Sequence, residues 1–444
     1  MKKVLIISPY FPPFNTADMQ RVRQSLPYLR ENGWEPTVLT VDEKYVDAYS
    51  VDNLLLQTFP QDIRICKVPA LKTSFTRKLG IGSLSIRAFF QIRKKGDELL
   101  QKEKFDLVYF STTAFHVMAL GPRWKKKFGV PFILDIQDPW YNTYYFNHAL
   151  AKKTAKAWMY HRLDKHLEER TIPYADGIIS VSAGYRDLYL DRYPNLSENH
   201  FRVIPFGCAI QDFPIAQKNV HRSDVPFSND EINMVYIGRG GQDMEFAASI
   251  IFRAIKSGLK DRPDLFKRLR LWFIGTSYAK AGEGQKTFAP IAERCGIADQ
   301  VTEISDRLPY FETLFLLSKA DILCVPGSTD STYTASKIYP YIYLDKPMLA
   351  VFHEKSSVCE IIRSTSNSKV VSFKDAEPES NQVHLVNECY RYLESVLDQN
   401  VQNANLNHRA FEEYTAKSMT EKQTNFFNLV VKSRNKLGFA TNRK

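Results

Sequence analysis

The sequence predicts an α/β protein of two doubly wound, Rossmann-like domains facing an interdomain cleft. Three observations carry that prediction. Short β-branched strands alternate with helical stretches along the chain, the pattern of parallel sheets covered on both faces. The periodicity lapses once, near the middle, at about 214–230, where polar and turn residues collect. The length of 444 residues, 44% hydrophobic and 25% charged, suits two globular domains better than one or four.

The elements follow in order. KVLIIS (3–8) is read as a first strand, followed by a loop, a helix around 18–32 and TVLTV (37–41). LVYFS (107–111) leads through a helix ending near 128 to PFILDI (131–136). A charged helix near 150–171 precedes GIISVS (177–182); Ser182 then caps a helix and RVIPF (202–206) closes the first half. The second half repeats the scheme with NMVYIG (233–238), LRLWFIG (269–275), VTEIS (301–305), DILCVP (321–326) and MLAVF (348–352), separated by helices near 243–259, 286–295 and 309–319. The expected division is therefore a domain over 1–213, a linker over 214–230, a domain over 231–404 and a polar helical tail over 405–444.

Composition excludes several classes. No run approaches the ~18 apolar residues of a membrane span. MKKVLIISPYFPPF has the charge-then-apolar order of a signal peptide, but its apolar run is short and lacks a small-residue cleavage site. The six cysteines are scattered without metal-ligand spacing, which argues for reduced thiols, a cytoplasmic setting and no structural zinc. Net charge is +11, and residues 71–104 hold nine Lys/Arg against three acids, interleaved with Phe89, Phe90 and Ile92. That segment reads either as a peripheral contact with an anionic membrane surface or as an ordinary helix with a solvated basic face. No nucleic-acid motif accompanies the charge.

In doubly wound sheets ligands bind beyond the carboxyl ends of the strands, and this selects four loops. The first, SPYFPPFNTADMQRVR (8–23), offers Asn15, Thr16 or Asp18 as helix caps and Arg21 in the first turn. The second, GVPFILDIQDPW (129–140), places Asp135 at a strand end and Asp138 just beyond. These two carboxylates suit hydroxyl binding or proton transfer, or else a turn cap and an arginine partner. His116, after the preceding strand, is a third candidate for chemistry or a satisfied polar core residue. The third loop, YIGRGGQDMEF (236–246), runs a strand into Gly238, Arg239, Gly240 and Gly241, a pattern that lets backbone amides and a guanidinium approach a phosphate. The fourth, PGSTDSTYTASK (326–337), brings Ser336 and Lys337 to a helix start, where an anion is favoured. Together the last two make a nucleotide diphosphate plausible.

At this point the chain resembles GT-B glycosyltransferases, in particular glycosyltransferase family 4. The resemblance rests on YFPP…R (10–21), GWEPTVLTV (33–41), DIQDPW (135–140), ADGIISVSAGYRD (175–187), VIPFG (203–207), YIGR (236–239) and SKIYPYIYLDKPMLA (336–350). It implies a GT-B fold and transfer of a sugar from a nucleotide sugar to a glycan or glycolipid acceptor. Retention of configuration, no cofactor and no metal are implied as well. Donor and acceptor fall on the C-terminal and N-terminal domains respectively, with the diphosphate held by an arginine and a lysine. Arg239 matches the arginine. The lysine position falls near Met244, leaving Lys337 as its candidate substitute. The ribose-binding glutamate falls on Pro340, its earlier acidic partner on Thr332, and Asp345 replaces a glycine. Asp330 or the Tyr333 hydroxyl are the nearest groups to stand in. A non-catalytic relative serving as a binding subunit is the rival reading, and a nucleotide-sugar epimerase a third.

Overall fold

The computed structural model describes residues 1–46, 51–141, 155–279, 281–331, 333, 335–375 and 378–441. The chain forms two compact units, Met1–Gly207 with Ala416–Lys444, and Cys208–Thr415.

The first unit is built on a seven-stranded sheet of order β3-β2-β1-β4-β5-β6-β7. Its strands are β1 Lys2–Ile7, β2 Trp34–Val41, β3 Arg64–Val68, β4 Leu107–Ser111, β5 Phe132–Ile136, β6 Gly177–Ser180 and β7 Phe201–Val203, and every pairing is parallel. Helices longer than one turn are α1 Gln20–Leu29, α2 Leu84–Lys102, α3 Leu120–Phe128, α4 Ala155–Glu169 and α5 Ala183–Arg192. Strands covered on both faces need continuous apolar runs, and Val4 to Ile7 and Leu107 to Phe110 are all fully buried. β3 (RICKV) is a largely exposed edge strand whose alternation is weak, so the sequence pattern did not reveal it.

The second unit repeats the design with order β10-β9-β8-β11-β12-β13, again all parallel. Its strands are β8 Ile232–Ile237, β9 Leu269–Ile274, β10 Val301–Ile304, β11 Ile322–Pro326, β12 Met348–His353 and β13 Lys369–Phe373. Its helices are α6 Asp212–Asn219, α7 Glu245–Asp261, α8 Ala289–Cys295, α9 Tyr310–Lys319, α10 Ile338–Tyr343, α11 Ser357–Thr365 and α12 Glu379–Leu397. The long helix α13, Ala416–Thr441, closes the chain.

The expected boundaries differ from this division in two places. The presumed linker begins inside α6, which belongs to the second unit: Asp212 accepts from the Tyr310 hydroxyl at 2.8 Å and Phe213 packs on Tyr343. The presumed tail instead returns to the first unit. Phe427 of α13 is fully buried against Trp34 and Tyr109, and a Cβ on Gly177 would lie 2.8 Å from Phe426. Burying an aromatic of this size contributes roughly 1.5–3 kcal/mol, which is why a polar-looking helix belongs to the fold.

Candidate functional site

In the second unit the strand order reverses between β8 and β11, and the loops following those two strands meet there. Gly238 adopts φ +155°, and a Cβ on it would lie 2.1 Å from the Lys337 ammonium, so the glycine makes room for the lysine. Gly240 and Gly241 are similarly crowded, by Thr287 and by the Asp243 carboxylate. The Lys337 ammonium donates to the Tyr236 hydroxyl at 2.5 Å, and that hydroxyl donates to the Arg239 carbonyl at 2.7 Å. Arg239 is half-buried, with its guanidinium 4.7 Å over the Tyr333 ring. Its two Nη donors engage the Asp243 carboxylate at 3.0 and 2.7 Å. Gly238, Arg239, Gly240, Gly241, Tyr333 and Lys337 are thus brought together; Thr332 lies outside the described residues.

The electrostatics follow from this geometry. Burial, then the charges of Arg239 and Arg307, push the Lys337 ammonium pKa well below its ordinary value. Burial pushes the Tyr333 phenol up to about 12 against the pull of Arg239. Burial, the largest single influence, would raise the Asp243 carboxyl, but the hydrogen bonds and charge of Arg239 together with a hydrogen bond from Ser328 outweigh it and hold the carboxyl below the usual range. Arg307, in the middle of the loop after β10 and stacked 4.5 Å over Tyr278, is a third cation that sequence reading passed over. Asp243 was missed too, although its spacing of four residues from Arg239 signals an ion pair.

Ser336 is exposed and is not the cap of α10; Lys337 occupies that position, with no side-chain cap bond. Pro340 is the third residue of α10, where its missing N–H would have no intrahelical acceptor, so it costs little. The Tyr341 hydroxyl accepts from the Ile237 amide at 2.7 Å, tying α10 to the end of β8. Asp345 takes φ +53° and accepts from the Leu406 amide at 2.8 Å, which explains how an aspartate serves where the resemblance has glycine.

In the first unit the order reverses between β1 and β4. There Asp135 takes the arginine partner that was one of its two readings, and the helix-cap expectations need correction. Asp135 is fully buried: it accepts from Arg21 Nε at 2.9 Å, Ser111 at 2.7 Å and Gln137 at 2.9 Å. Arg21 also donates to the carbonyls of Ile204 and Pro205, at 2.6 and 3.3 Å. The pair forms an internal brace, with Asp135 fully buried and Arg21 nearly so. None of Asn15, Thr16 or Asp18 caps α1, whose N-cap is Met19 without a side-chain bond. Asn15 accepts from Gln20 at 3.5 Å, Thr16 is buried, and Asp18 accepts from the Thr112 hydroxyl at 3.0 Å. Burial raises the pKa of Asp18. His116 sits half-buried, Nδ1 2.6 Å from the Ser85 hydroxyl and Nε2 3.1 Å from Asp164, which ties the loop after β4 to α2 and α4. Asp138 alone of these acids is exposed, just past β5.

Of the 71–104 segment, Arg87 is buried and donates to the Tyr45 and Leu71 carbonyls, Ile92 is buried, and Phe89 packs on the core. Phe90 is exposed, as are Leu71 and Phe75 beside Lys72, Arg77 and Lys78. No described helix is long and apolar enough to cross a membrane. Among the described residues no group of three or more His, Cys, Asp or Glu is arranged to hold a metal ion, and all six cysteines are free.

Two doubly wound parallel sheets of this topology define a glycosyltransferase-like GT-B fold. Residues 20–211 match the model of Glycosyltransferase Family 4, and over that stretch the chain resembles this family. No curated protein matches by sequence. Among solved structures, α,α-trehalose 6-phosphate synthase from Burkholderia multivorans superposes with a TM-score of 0.62 at 11% identity, covering 100% of this chain and 99% of that one. HepE of Anabaena in complex with UDP gives 0.51 at 14% identity with 100% of both chains covered. UDP-GlcNAc 2-epimerase from Methanocaldococcus jannaschii gives 0.51 at 12%, covering 97% and 100%. At such identities the likeness is one of fold.

Proposed function

We propose that the protein is a glycosyltransferase that moves a sugar from a nucleotide-diphosphate sugar to an acceptor hydroxyl, retaining configuration, in surface-polysaccharide or glycolipid synthesis. The observation that carries this is the convergence of Arg239 and Lys337 at the topological switch point of the second unit. Two cations on glycine-rich backbone at strand ends suit a diphosphate. UDP in the HepE complex and the family match over the first unit support the same reading. Asp138 is the remaining exposed acid for orienting or deprotonating the acceptor.

The test is binding of a nucleotide-sugar panel by thermal shift, with Arg239→Ala as control. One nucleotide diphosphate should stabilise the protein selectively, and Arg239→Ala should weaken it at least about ten-fold, the loss of a charge-assisted contact. Unchanged affinity in a folded variant would remove Arg239 from the site. Turnover separates the enzyme from a non-catalytic relative, the reading that Pro340 and Thr332 favour. Asp138→Asn should lower turnover by roughly a hundred-fold with donor affinity nearly intact. Full turnover would leave Asp138 a turn residue.

The reading extends to an acceptor at an anionic membrane surface facing the cytoplasm. Leu71, Phe75 and Phe90 are exposed amid Lys72, Arg77, Lys78 and Lys94, which suits shallow insertion beside anionic headgroups. Co-sedimentation should require anionic vesicles, fall with salt, and drop on Phe75→Ser with Phe90→Ser. Equal sedimentation with neutral vesicles would count against it.

A further inference from the structure

Arg239 is already paired within the protein. Both of its Nη groups, the pair that would form parallel hydrogen bonds to a phosphate, are held by the two oxygens of Asp243 at 3.0 and 2.7 Å. Asp243 lies in the 3-10 turn Gln242–Met244 that joins the loop after β8 to α7, and its backbone carbonyl accepts from Thr329 of the loop after β11 at 2.8 Å. It therefore links the two loops that define the site. Lys337, by contrast, has a tyrosine hydroxyl as its partner and no carboxylate within 4.0 Å among the described residues.

We infer that Asp243 is an internal anion that occupies the phosphate-binding face of Arg239 and sets the affinity of the site by competing with the ligand. The inference rests on the proposed role of Arg239 and goes beyond it: the arginine is pre-aligned but pre-occupied. A diphosphate that engages the same Nη pair displaces Asp243 from one or both of these groups, or else binds the remaining guanidinium N–H donors against the repulsion of a like charge. Asp243 thereby favours ligands that bring enough negative charge to outcompete one carboxylate, and disfavours a monoanion. The face of the guanidinium stays on Tyr333, which keeps the arginine aimed while its donors change partner.

Inorganic pyrophosphate and inorganic phosphate are the probes, because neither depends on the identity of the base or sugar. Calorimetry on the full chain measures their affinity in wild type, Asp243→Asn, Arg239→Ala and the double variant. Asp243→Asn keeps the shape and one acceptor oxygen while removing the charge. It is expected to bind pyrophosphate about ten-fold more tightly, equivalent to about 1.4 kcal/mol, and to narrow the preference for pyrophosphate over phosphate. In the Arg239→Ala background the same change should bring little gain, since the competition is for that guanidinium. Unchanged or weaker pyrophosphate binding in Asp243→Asn would overturn the inference, making Asp243 a spectator or a positioning residue. Pyrophosphate binding indifferent to Arg239→Ala would instead overturn the proposed donor site itself. Asp243→Ser, also uncharged and smaller, repeats the measurement should the asparagine variant fold poorly.

Discussion

Replacing Asp135 by alanine is expected to destabilise the first unit by about 3–5 kcal/mol, the cost of stranding one partner of a buried ion pair. Asp135 and Arg21 are both essentially without solvent exposure, so the guanidinium would lose its carboxylate with no water to replace it. Arg21 would keep the Ile204 and Pro205 carbonyls, which are neutral acceptors and only partly compensate. Because the chain has two units, its unfolding need not be a single transition. Tryptophan fluorescence in urea reports mainly on the first unit, where Trp34, Trp124, Trp140 and Trp158 reside, with Trp272 alone in the second. The variant should shift the main fluorescence transition to lower urea. An Asp135→Ala protein of wild-type stability but without turnover would return Asp135 to the chemistry and refute the brace.

This case shows where the sequence was legible and where it stopped. The two sheets were readable because central strands such as VLII and LVYF are buried on both faces and must be continuously apolar. Edge strand β3 and the return of α13 were not, since an exposed edge carries polar residues and a helix docked along one stripe keeps a polar composition. The donor-side cluster was found from glycines around an arginine, a local pattern with a local cause. Asp135 stayed open between two readings for a physical reason: a strand-end carboxylate looks alike whether it faces a ligand or a buried guanidinium 114 positions away in sequence. Asp243 is hard to single out because a loop acid beside glycines reads as a solvated turn residue, whereas its importance comes from the guanidinium its side chain pairs with.

The largest effect expected at the donor-side cluster belongs to Lys337. In the free protein, burial and the neighbouring Arg239 and Arg307 charges depress its pKa. A bound diphosphate supplies negative charge and offsets both arginines, so the pKa should be higher in the complex. The sign follows by linkage: the complex holds more protons than the free protein, and binding takes up a proton in the window between the two pKa values. Affinity for the nucleotide diphosphate should therefore be greatest at low pH and fall as pH rises through that window. Lys337→Met, close in length but uncharged, should lose about ten- to a hundred-fold in affinity at low pH, the range for a hydrogen bond to a charged group. It should also lose this part of the pH dependence. The titration of the phosphates is common to both proteins, so the difference between their affinity–pH curves isolates the lysine. Calorimetry in buffers of different ionisation enthalpy counts the protons directly. Parallel curves for wild type and Lys337→Met would mean that Lys337 does not meet the diphosphate, and that its place beside Gly238 and Tyr236 serves only to pack the site.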